Sequence, residues 1–112
     1  MTSDFYCQQV FSGKTPIKKV LETERVLAYH HTRPHWPVHI VVVPKEHVAD
    51  LFALEDQALT KELLEVIKQV AKQVRVKHGA ARIITNVGDY QDSKHLHFHV
   101  AFGDARTKPH IA

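Results

Sequence analysis

The sequence predicts a single α+β domain with a largely antiparallel sheet. Strand-like segments precede and follow one long segment of helical periodicity, an order that is typical of α+β proteins. The 112 residues are 44% hydrophobic and 24% charged, which is the size and balance of one globular domain covering residues 1–112. No internal repeat or low-complexity segment divides the chain, so we expect no second domain.

The first half of the chain is predicted to supply three strands. A short helix or an irregular segment over residues 5–12 comes first and is ended by a turn that contains glycine and proline. Strands are then expected over 17–22, 25–30 and 38–43. The third strand is apolar at nearly every position, so both of its faces should be covered. Two prolines in the 32–37 segment make that segment a loop.

Residues 55–78 give the clearest helix. Its apolar positions fall on one stripe, with charged residues on the other side. The stripe consists of Leu59, Leu63, Val66, Ile67, Val70 and Val74. Gly79 follows directly, as a residue that ends a helix in the left-handed conformation should. The prediction is completed by a strand over 82–87, a polar loop over 88–94 and a last strand over 95–102.

Composition excludes several classes of function. Lys and Arg number 15 against 12 Asp and Glu, and the basic residues are scattered, which favours a small anionic ligand over a nucleic acid polymer. The longest uncharged apolar run, 40–43, is far too short to span a membrane. The single cysteine, Cys7, excludes an intrachain disulfide and fits a reducing compartment. No secretory signal is visible, so we expect a cytoplasmic protein.

Histidine is the outlying residue type, with 10 in 112 residues. If 95–102 is a strand, alternate side chains lie about 6.5–7 Å apart on one face, and His95, His97 and His99 form a row. The opposite face is apolar and should pack against the helix; it carries Leu96, Phe98, Val100 and Phe102. Three interpretations compete: histidines on a strand by chance, a metal site with a third ligand from elsewhere, and nucleophilic transfer of a phosphoryl or nucleotidyl group.

Segment 95–101, His-Leu-His-Phe-His-Val-Ala, resembles the signature of the histidine triad (HIT) superfamily, in which histidines alternate with apolar residues. Segment 39–47 resembles the family's combination of a histidine, an apolar strand and Pro-Lys-x-His. Further matches are the Gly-x-x-Pro turn in 12–16, the strand 26–29, and Asn86, Gly88 and Gln91. The resemblance runs from residue 5 to residue 102, and the combination is more specific than the triad alone.

The resemblance implies a fold and a chemistry. Members of the family have a five-stranded antiparallel sheet with two helices and usually pair, so we expect a homodimer. They release or transfer nucleoside monophosphates from phosphoramidates, dinucleoside polyphosphates or adenylated groups, which implies a small nucleotide as the substrate. That chemistry requires no metal, and we expect no cofactor.

The resemblance also implies a role for each histidine of the site. His97 is the nucleophile, His39 and His99 contact the phosphate, and His95 supports the site from behind. The nucleotide-binding residues that it implies are His31, Thr32, Asn86, Gln91 and Asp92. Elementary chemistry agrees, because a neutral imidazole attacks phosphorus well, forms a phosphoramidate that water can cleave, and can donate to phosphate oxygens.

The sequence departs from the family at three points. His31 stands where many relatives carry an aspartate for the ribose hydroxyls, and a neutral imidazole accepts at most one hydrogen bond. Asp92 stands where many carry serine or threonine near the leaving group; a carboxylate there repels phosphate, or serves as a general acid or base. The 86–95 loop is shorter than in the phosphoramidase branch. A nucleotide-binding or scaffolding protein with little turnover is therefore the alternative to an enzyme.

Zinc gives the remaining alternative. One branch of the family binds it through Cys-x-x-Cys and two histidines, and the matching positions are Asp4, Cys7, His47 and His95. Aspartate can ligate zinc, but a single cysteine is a weaker signal than a pair, and Cys7 is better explained as a small buried apolar residue. We therefore expect no metal, and a metal-dependent hydrolase is the third class of function.

Overall fold

Five strands form one antiparallel sheet in the computed structural model, which describes residues 10, 13 and 16–105. The strands are β1 (Lys19–Glu22), β2 (Val26–His30), β3 (Val38–Pro44), β4 (Arg82–Ile84) and β5 (Phe98–Phe102), in the spatial order β1-β2-β3-β5-β4. The long helix α1 (Gln57–His78) connects β3 to β4, and short 3-10 helices span Leu51–Ala53 and Gly88–Tyr90. The predicted α+β class with an antiparallel sheet is confirmed.

Both ends of α1 are set by local chemistry. The Asp56 carboxylate accepts a hydrogen bond from the Leu59 amide at 3.1 Å, so the helix begins two residues later than predicted. Gly79 ends it with φ of 94°, and its amide donates to the Arg75 carbonyl at 2.7 Å. All six residues of the predicted apolar stripe are buried. Among residues 10, 13 and 16–105, no helix combines the length and the apolar character needed to cross a membrane.

The central strands are covered on both faces, as the apolar 38–43 segment predicts. The residues that face α1 include Val26, Ala28, Ile40, Val42 and Val100. The opposite face carries Leu27, Tyr29, Val41 and Val43, with Val10 and Ile17 against them. The four apolar residues of the 95–102 segment all belong to the core beneath α1, as predicted. The histidines of β3 and β5 are therefore mounted on a sheet that is fixed by burial on both sides.

The predicted last strand is too long. β5 begins at Phe98, because the three residues before it bond elsewhere: the Leu96 amide donates to the Val48 carbonyl at 2.6 Å, and Thr85 Oγ1 donates to the His97 carbonyl at 2.8 Å. The predicted 82–87 strand similarly ends at Ile84. The short helix expected over 5–12 lies outside the described residues, apart from Val10.

Candidate active site

His39 and His99 are joined side chain to side chain on neighbouring strands. The β3–β5 register places Val41 opposite His99, so His39 lies diagonally across from it on the same face. The two rings are buried, and His39 Nε2 lies 2.7 Å from His99 Nδ1. Their separate positions in the sequence, on two strands that pair, are brought together as the sequence analysis expects.

A backbone amide sets the direction of that hydrogen bond. The His35 amide donates to His39 Nδ1 at 3.0 Å, so Nδ1 carries a lone pair and the proton of the neutral ring lies on Nε2. His39 Nε2–H then donates to His99 Nδ1, which leaves the proton of His99 on Nε2. Burial, together with His31, His99 and other neighbouring imidazoles, lowers the pKa of His39 from 6.5 to about 2. His39 is therefore neutral, and His99 presents an N–H.

His97 has the opposite tautomer. Its Nδ1 lies 2.7 Å from the backbone carbonyl oxygen of His95, and a carbonyl can only accept. The proton is therefore on Nδ1, and the lone pair of the neutral ring is on Nε2. The His97 ring is buried and stands nearly perpendicular to His99, with the ring centroids 5.0 Å apart. An acceptor nitrogen of His97 thus lies beside a donor histidine.

His95 occupies a different place from the predicted row of three. It is fully buried, its Nε2 donates to the Pro44 carbonyl at 2.8 Å, and its ring meets His47 edge to face at 5.4 Å. Of the triad, only His99 lies in β5, so strand alternation does not place the other two. The ring of His95 anchors the segment to the end of β3, and its carbonyl fixes the His97 tautomer. This arrangement agrees with a supporting role.

His31 lies against the phosphate-contact candidates. It follows β2, its amide donates to the His39 carbonyl at 2.8 Å, and its ring stacks on His39 with centroids 4.3 Å apart and planes 20° apart. The Arg33 amide donates to His31 Nδ1 at 2.9 Å, so the proton of the neutral ring lies on Nε2. Burial, and then His35 and His97, lower the pKa of His31 from 6.5 to about 4.

The other nucleotide-binding candidates differ from one another in burial and in contacts. Gln91 is buried, but its side-chain amide donates to the Ala49 carbonyl at 2.7 Å, which gives it a structural contact between two loops. Thr32 and Asp92 are exposed, and Asn86 is half-buried. Asp4 and Cys7 lie outside the described residues.

Sequence reasoning missed two contributors to the site, His35 and Trp36. The amide of His35 holds the His39 tautomer, while the buried Trp36 ring meets His39 edge to face at 4.8 Å. The Arg82 guanidinium lies over the Trp36 ring, 5.7 Å from its centroid. Every residue except proline has a backbone N–H, so the sequence cannot show which amide contacts a side chain. The only signal for this segment in the sequence is the loop over 32–37, which two prolines restrict.

One group of side chains in the described part of the chain is close enough to suggest a metal. A ring nitrogen from each of His31, His39 and His99 lies within 4.8 Å of the others. The hydrogen bonds oppose that use, because His31 and His39 each already accept a backbone amide at Nδ1 and carry the proton at Nε2. A metal at Nε2 would have to displace that proton and break an amide contact. The donors fit an anion better.

Comparison with known proteins places the chain in a family. The family model of the HIT domain matches residues 12–105. An uncharacterized HIT-like protein of Azospirillum brasilense is 36% identical over 108 residues, covering 92% of this chain and 88% of that one. A histidine triad protein structure from Clostridium difficile superposes with a TM-score of 0.76 at 33% identity, covering 95% of both chains. A HIT family hydrolase from Legionella pneumophila gives 0.77 at 27% identity, over 96% of this chain and 98% of that one. The chain therefore belongs to the HIT family.

Proposed function

We propose that this protein is a nucleotide hydrolase or nucleotidyl transferase that works through a covalent nucleotidyl-His97 intermediate. One observation carries the proposal: the His95 carbonyl holds the proton of His97 on Nδ1 and so leaves the lone pair on Nε2. An imidazole in this tautomer is a nucleophile without first losing a proton. The name of the Legionella relative, a HIT family hydrolase, is consistent with such an activity.

In the first step, His97 Nε2 attacks the phosphorus of a nucleoside phosphoramidate or phosphoanhydride. A bond from Nε2 to phosphorus forms while the bond from phosphorus to the leaving nitrogen or oxygen breaks. The leaving group takes the electron pair and a proton from solvent, and the ring, which keeps its Nδ1 proton, becomes cationic. Charge accumulates on the non-bridging oxygens as this happens. The N–H of His99 supplies a preorganised donor for that charge, and His39 holds His99 in the donating orientation.

In the second step, water or another acceptor attacks the nucleotidyl-histidine and releases the nucleoside monophosphate. The attack returns the electron pair of the phosphorus–nitrogen bond to Nε2 and restores the starting tautomer. The attacking hydroxyl gives its proton to solvent, which replaces the proton taken up by the leaving group in the first step. Hydrolysis and nucleotidyl transfer differ only in the acceptor, and the same His97 chemistry serves both. The mechanism does not depend on the predicted homodimer or on the predicted cytoplasmic location, and both stay predictions.

The competing function is nucleotide binding with little turnover, which the unusual residues His31 and Asp92 favour. A metal-dependent hydrolase is the third class. Incubation with an adenosine phosphoramidate and with a diadenosine polyphosphate, each with and without chelator, separates the three. We expect release of adenosine monophosphate that the chelator does not change. Binding without release would support the binding protein, and chelator-sensitive release the metal enzyme.

The covalent step has its own test. A phosphorus-labelled substrate, quenched quickly without acid to preserve the phosphoramidate, should leave label on His97. His30→Asn is the matched control, since His30 is an exposed histidine of β2 with its side chain outside the cluster. Label that persists in His97→Asn, or turnover that is unchanged in it, would contradict the mechanism.

A further inference from the structure

His31 is the histidine of the cluster that the proposed chemistry does not use. Its ring is stacked on His39 and lies 6.1 Å from His99, centroid to centroid, so it borders the His99 N–H that would face a phosphate. A ring nitrogen of each of these three residues lies within 4.8 Å of the others. A substrate whose phosphate reaches His99 therefore comes within reach of His31.

Hydrogen bonding decides what His31 can offer. The lone pair of Nδ1 is occupied by the Arg33 amide, and the remaining nitrogen of the neutral ring carries a proton. His31 therefore acts as a donor toward a ligand and has no nitrogen with which to accept from a hydroxyl. The ligand group that can pair with the His31 Nε2–H is therefore an oxygen acceptor. Phosphate oxygens form the stronger hydrogen bond with such a donor, because one partner is charged.

We propose that His31 is a specificity-determining residue that donates its Nε2–H to a second phosphoryl group of the substrate, beside the phosphate that His97 attacks. The proposal rests on the proposed function for the identity of the first phosphate. Two sources can supply the second: the next phosphate of a phosphoanhydride, or a phosphate ester on the sugar. Both present the same chemistry, a charged oxygen within one hydrogen bond of His31.

Other groups border this position and are accounted for separately. The His35 ring lies 6.0 Å from that of His31 and 5.8 Å from that of His39, and the His35 backbone amide donates to His39. Arg33 is exposed, and its positive charge attracts any anion in a way that salt screens. A donor bond from His31 differs from this general attraction, because it distinguishes ligands by where the second phosphate lies.

Calorimetric binding at pH 7 tests the proposal without turnover. The three probes are adenosine monophosphate, α,β-methylene adenosine diphosphate, whose bridging carbon blocks cleavage, and adenosine 3′,5′-bisphosphate. We expect one of the two bisphosphorylated probes to bind the native protein about tenfold more tightly than the monophosphate, and that probe identifies the source. Equal affinities for all three probes would overturn the proposal.

Variants assign the preference to a residue. His31→Leu should abolish the tenfold ratio, His31→Asp should reverse it by charge repulsion, and His31→Gln, which keeps an N–H at similar reach, should retain part of it. His30→Asn is the matched histidine control and should keep the full ratio. Arg33→Gln should weaken all three probes together. A ratio that is lost in Arg33→Gln and kept in His31→Leu would overturn the assignment to His31.

The test separates this proposal from the proposed function. The affinity ratios are measured without cleavage, so they stand or fall independently of the covalent step at His97. If His97→Asn kept native turnover, the mechanism would be wrong while the ratios would still report on His31. If all three probes bound with equal affinity while His97 carried label, the covalent mechanism would be supported and the proposed role of His31 would be wrong.

Discussion

The His39 and His99 side chains share one hydrogen bond of 2.7 Å, and a backbone amide sets its direction. The His35 amide fills the Nδ1 lone pair of His39, so the proton between the rings belongs to His39. The result is a chain of hydrogen bonds that all donate in one direction, from the His35 amide to His39 and from His39 to His99. This relay leaves the proton of His99 on Nε2. On the other side of the site, the His95 carbonyl produces the reverse tautomer in His97.

The first prediction concerns the nucleophile. His97→Ala should lower turnover by several orders of magnitude, since loss of a covalent nucleophile removes the whole two-step route. His97→Asn should unfold at nearly the native denaturant concentration, because the side chain lies outside the core beneath α1. Steady-state kinetics and denaturation of both variants provide the measurements, with His30→Asn as control.

The parts of the fold that sequence could predict are those governed by side-chain periodicity. The stripe of α1 and the apolar face of the 95–102 segment follow from burial alone, and both are confirmed. The strand assignment of residues 95–97 was nevertheless wrong, because alternation does not require strand pairing. An extended segment alternates whether or not it pairs with a neighbour, and the partners of this one are the Val48 carbonyl and the Thr85 hydroxyl.

The sequence predicted which histidines come together at the candidate site, but not the hydrogen bonds that set their tautomers. Resemblance brought His39, His97 and His99 together, and the structure places these rings within 5.0 Å of a neighbour. Their tautomers depend on the His35 amide and the His95 carbonyl, and every residue has such groups. No residue type marks the positions where those groups point at a ring, so sequence alone could not assign donors and acceptors.

The second prediction tests the relay from His35 to His99. His39→Ala and His99→Ala should each lower turnover by about 10²–10³-fold, as expected for loss of a donor to developing charge. The double variant should lose little more than the worse single variant, because both act through one hydrogen bond. Turnover numbers from the three proteins check this, and fully additive losses would show that the two rings act separately.

A matched variant isolates the backbone contribution to the same relay. His35→Ala removes an imidazole but keeps the amide that donates to His39, so turnover should stay within about threefold of native. A loss as large as that of His39→Ala would mean that the His35 ring, and not its amide, supports the site.

The third prediction concerns the sugar. His31 can form only one hydrogen bond with the ribose, by donating Nε2–H to a hydroxyl oxygen, so a deoxyribose substrate should be used almost as well as its ribose counterpart. His31→Asp restores a two-oxygen acceptor and should raise the preference for ribose. The measurement is the ratio of kcat/KM for adenosine and 2′-deoxyadenosine substrates in both proteins. A strong ribose preference in the native protein that His31→Asp leaves unchanged would remove His31 from sugar recognition.

The fourth prediction is that acid destabilises the fold through the histidine cluster. Burial lowers the pKa of His39 to about 2 and that of His31 to about 4, while both rings titrate near 6.5 when unfolded. Below pH 6.5 the unfolded chain therefore binds more protons at these two histidines than the folded chain does. The free energy of unfolding is at its full value above that pH and falls as the pH drops. Between pH 6.5 and about 5 the loss should be roughly 1–2 kcal/mol per histidine, with the half-exposed His31 at the lower end.

Urea unfolding at a series of pH values measures this slope, and His31→Gln supplies the comparison. Glutamine does not titrate, so the variant should show a shallower loss of stability below pH 6.5 than the native protein, by the share that His31 contributes. His30→Asn is the matched histidine control, because His30 is exposed at the end of β2. An identical slope in all three proteins would mean that His31 accepts a proton in the folded state as readily as in the unfolded one, which its burial and the neighbouring His35 and His97 oppose.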